Sequence, residues 1–282
     1  MNIRTDLALE SAEIHKKSLN GVALDEEKQS ELTIWRMEIE TDSAAKRLGK
    51  PQGRYITIGL PRFTARAGVD KKTAAVLAGE ISRLLPQNTG SVLIAGLGNT
   101  EITPDSLGPK VAEKVIATRH IGKKLCRELG LGELLPVSVI APGVLGQTGI
   151  ETGELILGAA DRVVPSAVIV IDALAARSLD RLGSTVQMSD TGICPGSGVG
   201  NSRMEISRRT LGIPVISVGV PTVVDIKTLL SDIGAENVSA PDMIVTPKEI
   251  DMMIERAAFL IAVSLNLSLQ KSLSFEDIMG LI

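Results

Sequence analysis

The rhythm of apolar and polar positions changes near residue 50. Before it, charged residues are dense and strand signal is poor, so residues 10–17 and 26–38 predict helical or loosely ordered segments in an N-terminal extension, 1–50. After it, Tyr55-Ile-Thr-Ile-Gly-Leu60 alternates like a half-buried strand, and residues 70–85 carry apolar side chains at helical spacing until Pro86. Residues 92–97, Val-Leu-Ile-Ala-Gly-Leu, form a continuous apolar run of the kind that fills a buried parallel strand, followed by a loop and a helical stretch over 106–118. The same strand, loop and helix rhythm recurs at 137–141, 167–171 and 214–218. Thr246, Pro247 and Glu249 read as a capping box opening a last long helix over 247–270. Residues 51–282 are therefore expected to form one α/β domain, three-layer αβα, with a mostly parallel twisted sheet.

Composition narrows this picture. The chain has 282 residues, 44% of them hydrophobic but only 2% aromatic, so its core must be packed from aliphatic side chains around glycine. Thirty basic and thirty-three acidic residues leave a net charge of −3 with no Lys/Arg run that could track phosphates, which argues against direct nucleic-acid binding. No apolar run approaches the roughly 20 residues that span a bilayer, and the first residues do not read as a signal peptide, so no membrane association is expected. Cys126 and Cys194 lack any C-x-x-C spacing, which predicts neither a zinc site nor a disulfide framework and suits a reducing compartment.

Ligands of open α/β sheets bind beyond the carboxyl ends of the strands. Two loops qualify: Gly98-Asn-Thr-Glu-Ile-Thr-Pro-Asp105-Ser-Leu-Gly-Pro109, and Asp172-Ala-Leu-Ala-Ala-Arg177. Asp105 also fits a helix N-cap. Asp172 ends a wholly apolar strand, where a carboxylate is costly unless paired or exposed in a cleft. Two carboxylates in one crevice disfavour double ionisation, so one keeps a proton while the other stays charged, the arrangement that deprotonates water and protonates a leaving amine. A second loop, Ser189-Asp-Thr-Gly-Ile-Cys-Pro-Gly196-Ser-Gly198-Val-Gly200-Asn201, lets a backbone approach a ligand closely, and Gly196 and Gly198 are candidate substrate contacts. It lacks a Walker Gly-Lys-Ser/Thr, and Gly96-Leu-Gly98 lacks the third glycine of a dinucleotide fingerprint. His15 and His120 are the only histidines, and Cys194 reads as a small loop-packing residue rather than a nucleophile. No cofactor is called for, and a metal requirement stays open.

Thr103-Pro-Asp-Ser-Leu-Gly-Pro109, Gln147-Thr-Gly-Ile-Glu-Thr152, Ile171-Asp-Ala-Leu-Ala-Ala-Arg-Ser178, Ser189-Asp-Thr-Gly-Ile193, Pro195-Gly-Ser-Gly-Val-Gly-Asn201 and Gly219-Val-Pro-Thr-Val-Val-Asp225 together resemble the germination protease family of endospore formers. The likeness is dense over 92–225 and returns at Val245-Thr-Pro-Lys-Glu-Ile250. The resemblance implies a fold shared with hydrogenase maturation proteases. It also implies an endopeptidase that degrades small acid-soluble spore proteins, made as a zymogen, assembled as a homotetramer and working in the cytoplasm of the spore core. Asp105 and Asp172 fall on the family's two catalytic aspartates. The family's targets carry an acid before the scissile bond and an apolar residue after it, which makes Arg177 a candidate for receiving the acid. Thr5-Asp-Leu-Ala-Leu-Glu10 resembles that target, implying self-processing between Asp6 and Leu7 near a flexible terminus and a propeptide of about residues 1–6. Two departures stand out: Cys194 replaces the family's usual His, and a long insertion before Val245 is missing. A hydrogenase-maturation type of metal-dependent endopeptidase and a non-catalytic peptide- or phosphate-binding protein are the alternatives.

Overall fold

The computed structural model describes residues 5–15, 19–63, 70–128, 132–200, 203–232, 234–235, 241 and 243–282. Among them nine strands form one sheet: β1 (Val22–Gln29), β2 (Leu32–Ile39), β3 (Gly53–Gly59), β4 (Val92–Leu97), β5 (Val137–Gly143), β6 (Ala167–Ala176), β7 (Thr185–Ser189), β8 (Val215–Asp225) and β9 (Ile244–Val245). Their order is β1-β2-β3-β7-β8-β6-β4-β5, with β9 paired to β8. β5, β4, β6 and β8 run parallel, while β1, β2, β3 and β7 extend the sheet antiparallel. The strands expected around 55–60, 92–97, 137–141, 167–171 and 214–218 are all present.

Two helical layers cover the parallel half, and side chains of β4 alternate between them as the pleat requires. Val92 and Ile94 pack in a cluster with Leu77 and Ile81 of the helix Lys71–Leu84 and Ile254 and Ile261 of the helix Ile250–Leu269. Leu93, Ala95 and Leu97 pack on the other face with Ile156 and Ala160 of the helix Thr152–Val163. This is the expected αβα arrangement. The helix Ile250–Leu269 is long and apolar enough to cross a membrane, but 72% of its apolar window is buried in the protein.

Several boundaries differ from the expectation. The N-terminal extension is no separate unit: residues 26–38 contribute to the hairpin β1-β2, and Met37, Ile39 and Tyr55 share a cluster with Ala8 and Ala12 of the helix Ala8–Ile14. The long final helix begins at Ile250 without a side-chain cap, and Thr246 Oγ1 donates instead to Thr222 O at 2.9 Å. The helix expected over 106–118 stops at Ala112. Beyond it, Asn266 donates to Lys114 O (3.1 Å) and accepts from Ile116 N (3.0 Å), while Gln270 donates to Leu135 O and Thr118 Oγ1 (3.0 and 3.2 Å). Buried side-chain amides near and just past the end of the helix Ile250–Leu269 thus satisfy a non-helical turn that would otherwise carry unpaired polar groups.

The short helix Leu107–Ala112 sits directly on the strand ends. A Cβ at Gly108 would overlap the Leu97 backbone and lie 2.6 Å from Ile171 O, so helix and sheet meet backbone to backbone here. Gly108→Ala should therefore lower the unfolding free energy by about 1–3 kcal/mol in urea titration; a loss below about 0.5 kcal/mol would contradict this close approach.

Candidate active site

The register of β4 and β6 puts the site where it is. Gly96 pairs with Ile171, so the turn leaving β4 and Asp172 on β6 stand side by side at the carboxyl edge of the parallel strands. Gly98, at φ +117°, turns the chain back so that residues 103–105 form a single 3-10 turn, and a Cβ at Gly98 would overlap Asp105 O. Asn99 N donates to both the carbonyl of Asp105 (3.1 Å) and its Oδ2 (2.9 Å). Gln147 Nε2 donates in turn to Asn99 Oδ1 at 2.7 Å. Asp105 and Asp172 both line a cleft of about 410 Å³, together with Leu97, Asn99, Val144 and Arg203.

Asp172 lies in mid-strand, since β6 continues to Ala176, and is only 6% exposed. Its Oδ1 accepts from Ala173 N at 2.9 Å. Burial, and then the charges of Asp105 and Asp6, push its pKa well above the ordinary carboxylate range, against that one hydrogen bond. Burial also raises Asp105, opposed by the Asn99 N–H. The deeper carboxyl is thus the stronger proton holder, and Asp105, half-buried and hydrogen-bonded, is the better anion. A larger cavity of about 790 Å³ lies by Arg36, Phe63 and Glu80, but there Arg36 and Glu80 satisfy each other in a two-point ion pair at 2.6 and 3.2 Å.

The N-terminal segment enters the same cleft. Asp6 lines it, with Oδ2 accepting from Ala175 N (2.9 Å) and Oδ1 from Ser197 Oγ (2.8 Å). The carbonyl of Asp6 accepts from Lys50 Nζ and Gln187 Nε2, both at 3.0 Å. Leu7 is fully buried among Leu174, Ala176, Leu182 and Val224. Glu10, 1% exposed, accepts from Arg177 N (2.7 Å), Ser178 N (2.9 Å) and Thr5 Oγ1. Residues 5–10 are therefore a docked strap and not the flexible terminus expected from the sequence, and the Asp6–Leu7 bond lies inside it. Residues 1–4 of the expected propeptide lie outside the described residues. Burial lowers the Lys50 pKa, opposed by Asp6 and Glu10.

The other candidates divide. Gly196, left-handed at φ +74°, lines the cleft, and Gly198 packs so closely on Asp6 that a Cβ there would overlap its Oδ2. Arg177 does not reach the cleft. β6 runs extended from Asp172 to Ala176 and places Arg177 just beyond its end, so five residues at about 3.3 Å each carry it roughly 16 Å from Asp172, and its amide serves Glu10. Arg203 is the cation that lines the cleft, from a loop whose backbone is held by Pro195 O and by Cys194 Sγ. Cys194 itself is turned to that loop, and neither histidine lines the cleft. Asn201, which closes the Gly-rich motif, lies outside the described residues. Among the described residues no three His, Cys, Asp or Glu side chains form a metal-holding group.

A cleft at the carboxyl edge of an α/β sheet, walled by a pair of proton-holding carboxylates, is where an enzyme of this architecture does its chemistry, and comparison with known proteins makes the class a peptidase. The sequence matches the germination protease family over residues 3–239. It is 40% identical over 320 aligned positions to a germination protease of Clostridium perfringens (strain ATCC 13124), covering 98% of each chain. It is 41% identical over 315 positions to that of Caldanaerobacter subterraneus subsp. tengcongensis, covering 98% of this chain and 97% of the relative. The chain belongs to the germination protease family and is a spore germination endopeptidase. Among solved structures, the hydrogenase maturation protease HycI of Thermococcus kodakarensis overlaps 66% of this chain and 98% of its own, at 18% identity and a TM-score of 0.39.

The raised carboxyls make stability depend on pH with a definite sign. A carboxyl whose folded pKa exceeds its unfolded one binds its proton more tightly when folded, so its stabilising contribution is present below the ordinary carboxylate range, about pH 4, and is lost as pH rises through the folded value. Asp172→Asn removes that loss and keeps an oxygen for Ala173 N. The variant should melt higher than the parent at pH 7, by about 2–4 °C per kcal/mol relieved, and the gap should close near pH 4. A variant that melts lower at pH 7 would show that Asp172 is not a strained acid.

Proposed function

We propose that Asp105 and Asp172 carry out peptide hydrolysis as an acid and base pair. What supports this most is their difference within one cleft: a deep carboxyl that holds its proton beside a shallower one that accepts a backbone N–H. Asp105, ionised, takes one proton from a water molecule as the water oxygen attacks the scissile carbonyl carbon. Asp172 gives its proton first to the carbonyl oxygen. Asp105 then gives that proton to the amine nitrogen as the C–N bond breaks, and Asp172 takes one back from a hydroxyl of the tetrahedral diol, which leaves a carboxylic acid and an amine and restores the pair. The pair titrates as a unit, so activity should be bell-shaped in pH, falling on the alkaline side when the shared proton is lost and on the acid side when both carboxyls are protonated.

In this reading the substrates are small acid-soluble spore proteins, the enzyme is a zymogen that cuts itself between Asp6 and Leu7, and the working form is a homotetramer in the cytoplasm of the spore core. The docked strap adds a condition to self-processing. The Asp6 carbonyl is held by Lys50 and Gln187, which do not line the cleft, so the bond must leave its place before the pair can reach it. Release is then the slow step, and Glu10 is the anchor that sets it.

Replacing Asp105 or Asp172 by Asn should lower the rate on an added Glu-Ile peptide by about 10²–10⁴-fold; full activity in either variant would refute the assignment. Glu10→Ala should speed the loss of residues 1–6 several-fold, read by intact mass over time. A chain that cleaves the added peptide yet keeps its original N-terminus in both forms would rule out self-processing while leaving the protease reading intact.

A further inference from the structure

β6 outlasts its neighbour. Its pairing with β4 ends at Ile171, five residues before β6 itself ends at Ala176. A strand edge left open in this way offers N–H and C=O groups to any extended chain that arrives. Here the amides of Ala173 and Ala175, and of Arg177 just past the strand's end, each donate to an acidic side chain: Asp172 at 2.9 Å, Asp6 at 2.9 Å and Glu10 at 2.7 Å. The middle position is the most complete. Asp6 N donates to Ala175 O at 2.9 Å while its own Oδ2 takes Ala175 N, so one residue is bound by backbone and side chain together. Ser197 Oγ donates to the other carboxylate oxygen, and Gly198, lacking a Cβ, leaves the room that this carboxylate fills.

Resting on the protease reading above, we propose that Ala175, Ser197 and Gly198 form the subsite that selects an acidic side chain in an extended peptide substrate, and that Asp6 is an internal occupant competing for it. Both carboxylate oxygens are received by donors, and charge-assisted bonds of this kind are the stronger sort. An amide in the same place would turn an uncharged oxygen to the Ala175 N–H and its NH₂ to the Ser197 hydroxyl oxygen, so the cradle favours the acid through the greater strength of its charge-assisted bonds. A peptide adding to the β6 edge would run past Asp172, three residues away on the same strand, and without the Leu7 and Glu10 anchors that hold the strap's Asp6 carbonyl on Lys50 and Gln187, its own scissile carbonyl is free to meet the carboxylate pair.

The test uses the full chain with Asp6→Ala, which empties the cradle; Asp6→Ser serves the same end if the alanine form does not fold. N-acetyl-aspartate N-methylamide and its asparagine counterpart are titrated by calorimetry. The aspartate probe should bind at least about tenfold more tightly, a difference worth about 1.4 kcal/mol, and Ser197→Ala in the same background should remove most of it. In parallel, the kcat/KM ratio for Glu-Ile over Gln-Ile peptides should fall about tenfold on adding Ser197→Ala, chiefly through KM. Equal affinity for the two probes, or a Glu/Gln ratio indifferent to Ser197, would overturn the subsite. Acid-selective binding by a chain that cleaves neither peptide would uphold the subsite and refute the catalytic reading.

Discussion

Everything at this site depends on a contact in which no side chain takes part. The turn after β4 and the first turn of the helix Leu107–Ala112 are laid directly on the strand backbone at Gly96, Gly98 and Gly108, with nothing between but van der Waals separation. That approach fixes Asp105 above the end of β4 while the β4–β6 register fixes Asp172 beside it. Any Cβ at these positions would push the turn outward, and the two carboxyls would separate. The aliphatic core behind them, Ile94, Ile169, Ile171 and Val218 among others, makes the platform rigid, while Leu97, Leu174 and Val223 make the floor of the cleft apolar.

An apolar floor is what gives the two carboxyls different chemistry. Asp172, with one backbone N–H for a partner and two other carboxylates near, is poorly compensated as an anion. Asp105 is nearer solvent and better supported. The docked strap increases the asymmetry, because Asp6 adds a second negative charge beside Asp105 while Lys50 is committed to the carbonyls of Thr5 and Asp6. Removing the strap would therefore change both access to the cleft and the proton affinity of the residue at its base.

The parallel half of the fold was legible because its strands are buried on both faces and read as unbroken apolar runs, and Asp172 stood out as a carboxylate at the end of one of them, although the strand runs on to Ala176. Asp105 was legible from its place after β4. The antiparallel half was not: β1 is exposed along almost its whole length, so Asp25-Glu-Glu-Lys28 carries no apolar alternation to betray a strand. The Ala-rich tail of β6 reads as helix by propensity, and only β8 on one side and the strap on the other hold it extended. The end of the helix after Asp105 is set by Asn266, about 150 residues further on. The docking of Asp6 was hidden for a similar reason, since its partners are an amide and a hydroxyl on segments distant in sequence, and a buried acid held by backbone N–H groups leaves no local pattern.

The central claim is that the cleft keeps a proton on Asp172 because of burial and the neighbouring carboxylates. Carboxyl ¹³C NMR of Asp-labelled protein titrated with pH tests it most directly, with Asp172→Asn used to assign the signal. One aspartate should stay protonated well above pH 4, the ordinary range, and its midpoint should move down in Asp105→Asn, where a neighbouring charge is gone. An Asp172 signal that titrates in the ordinary range, or one indifferent to Asp105, would contradict the account.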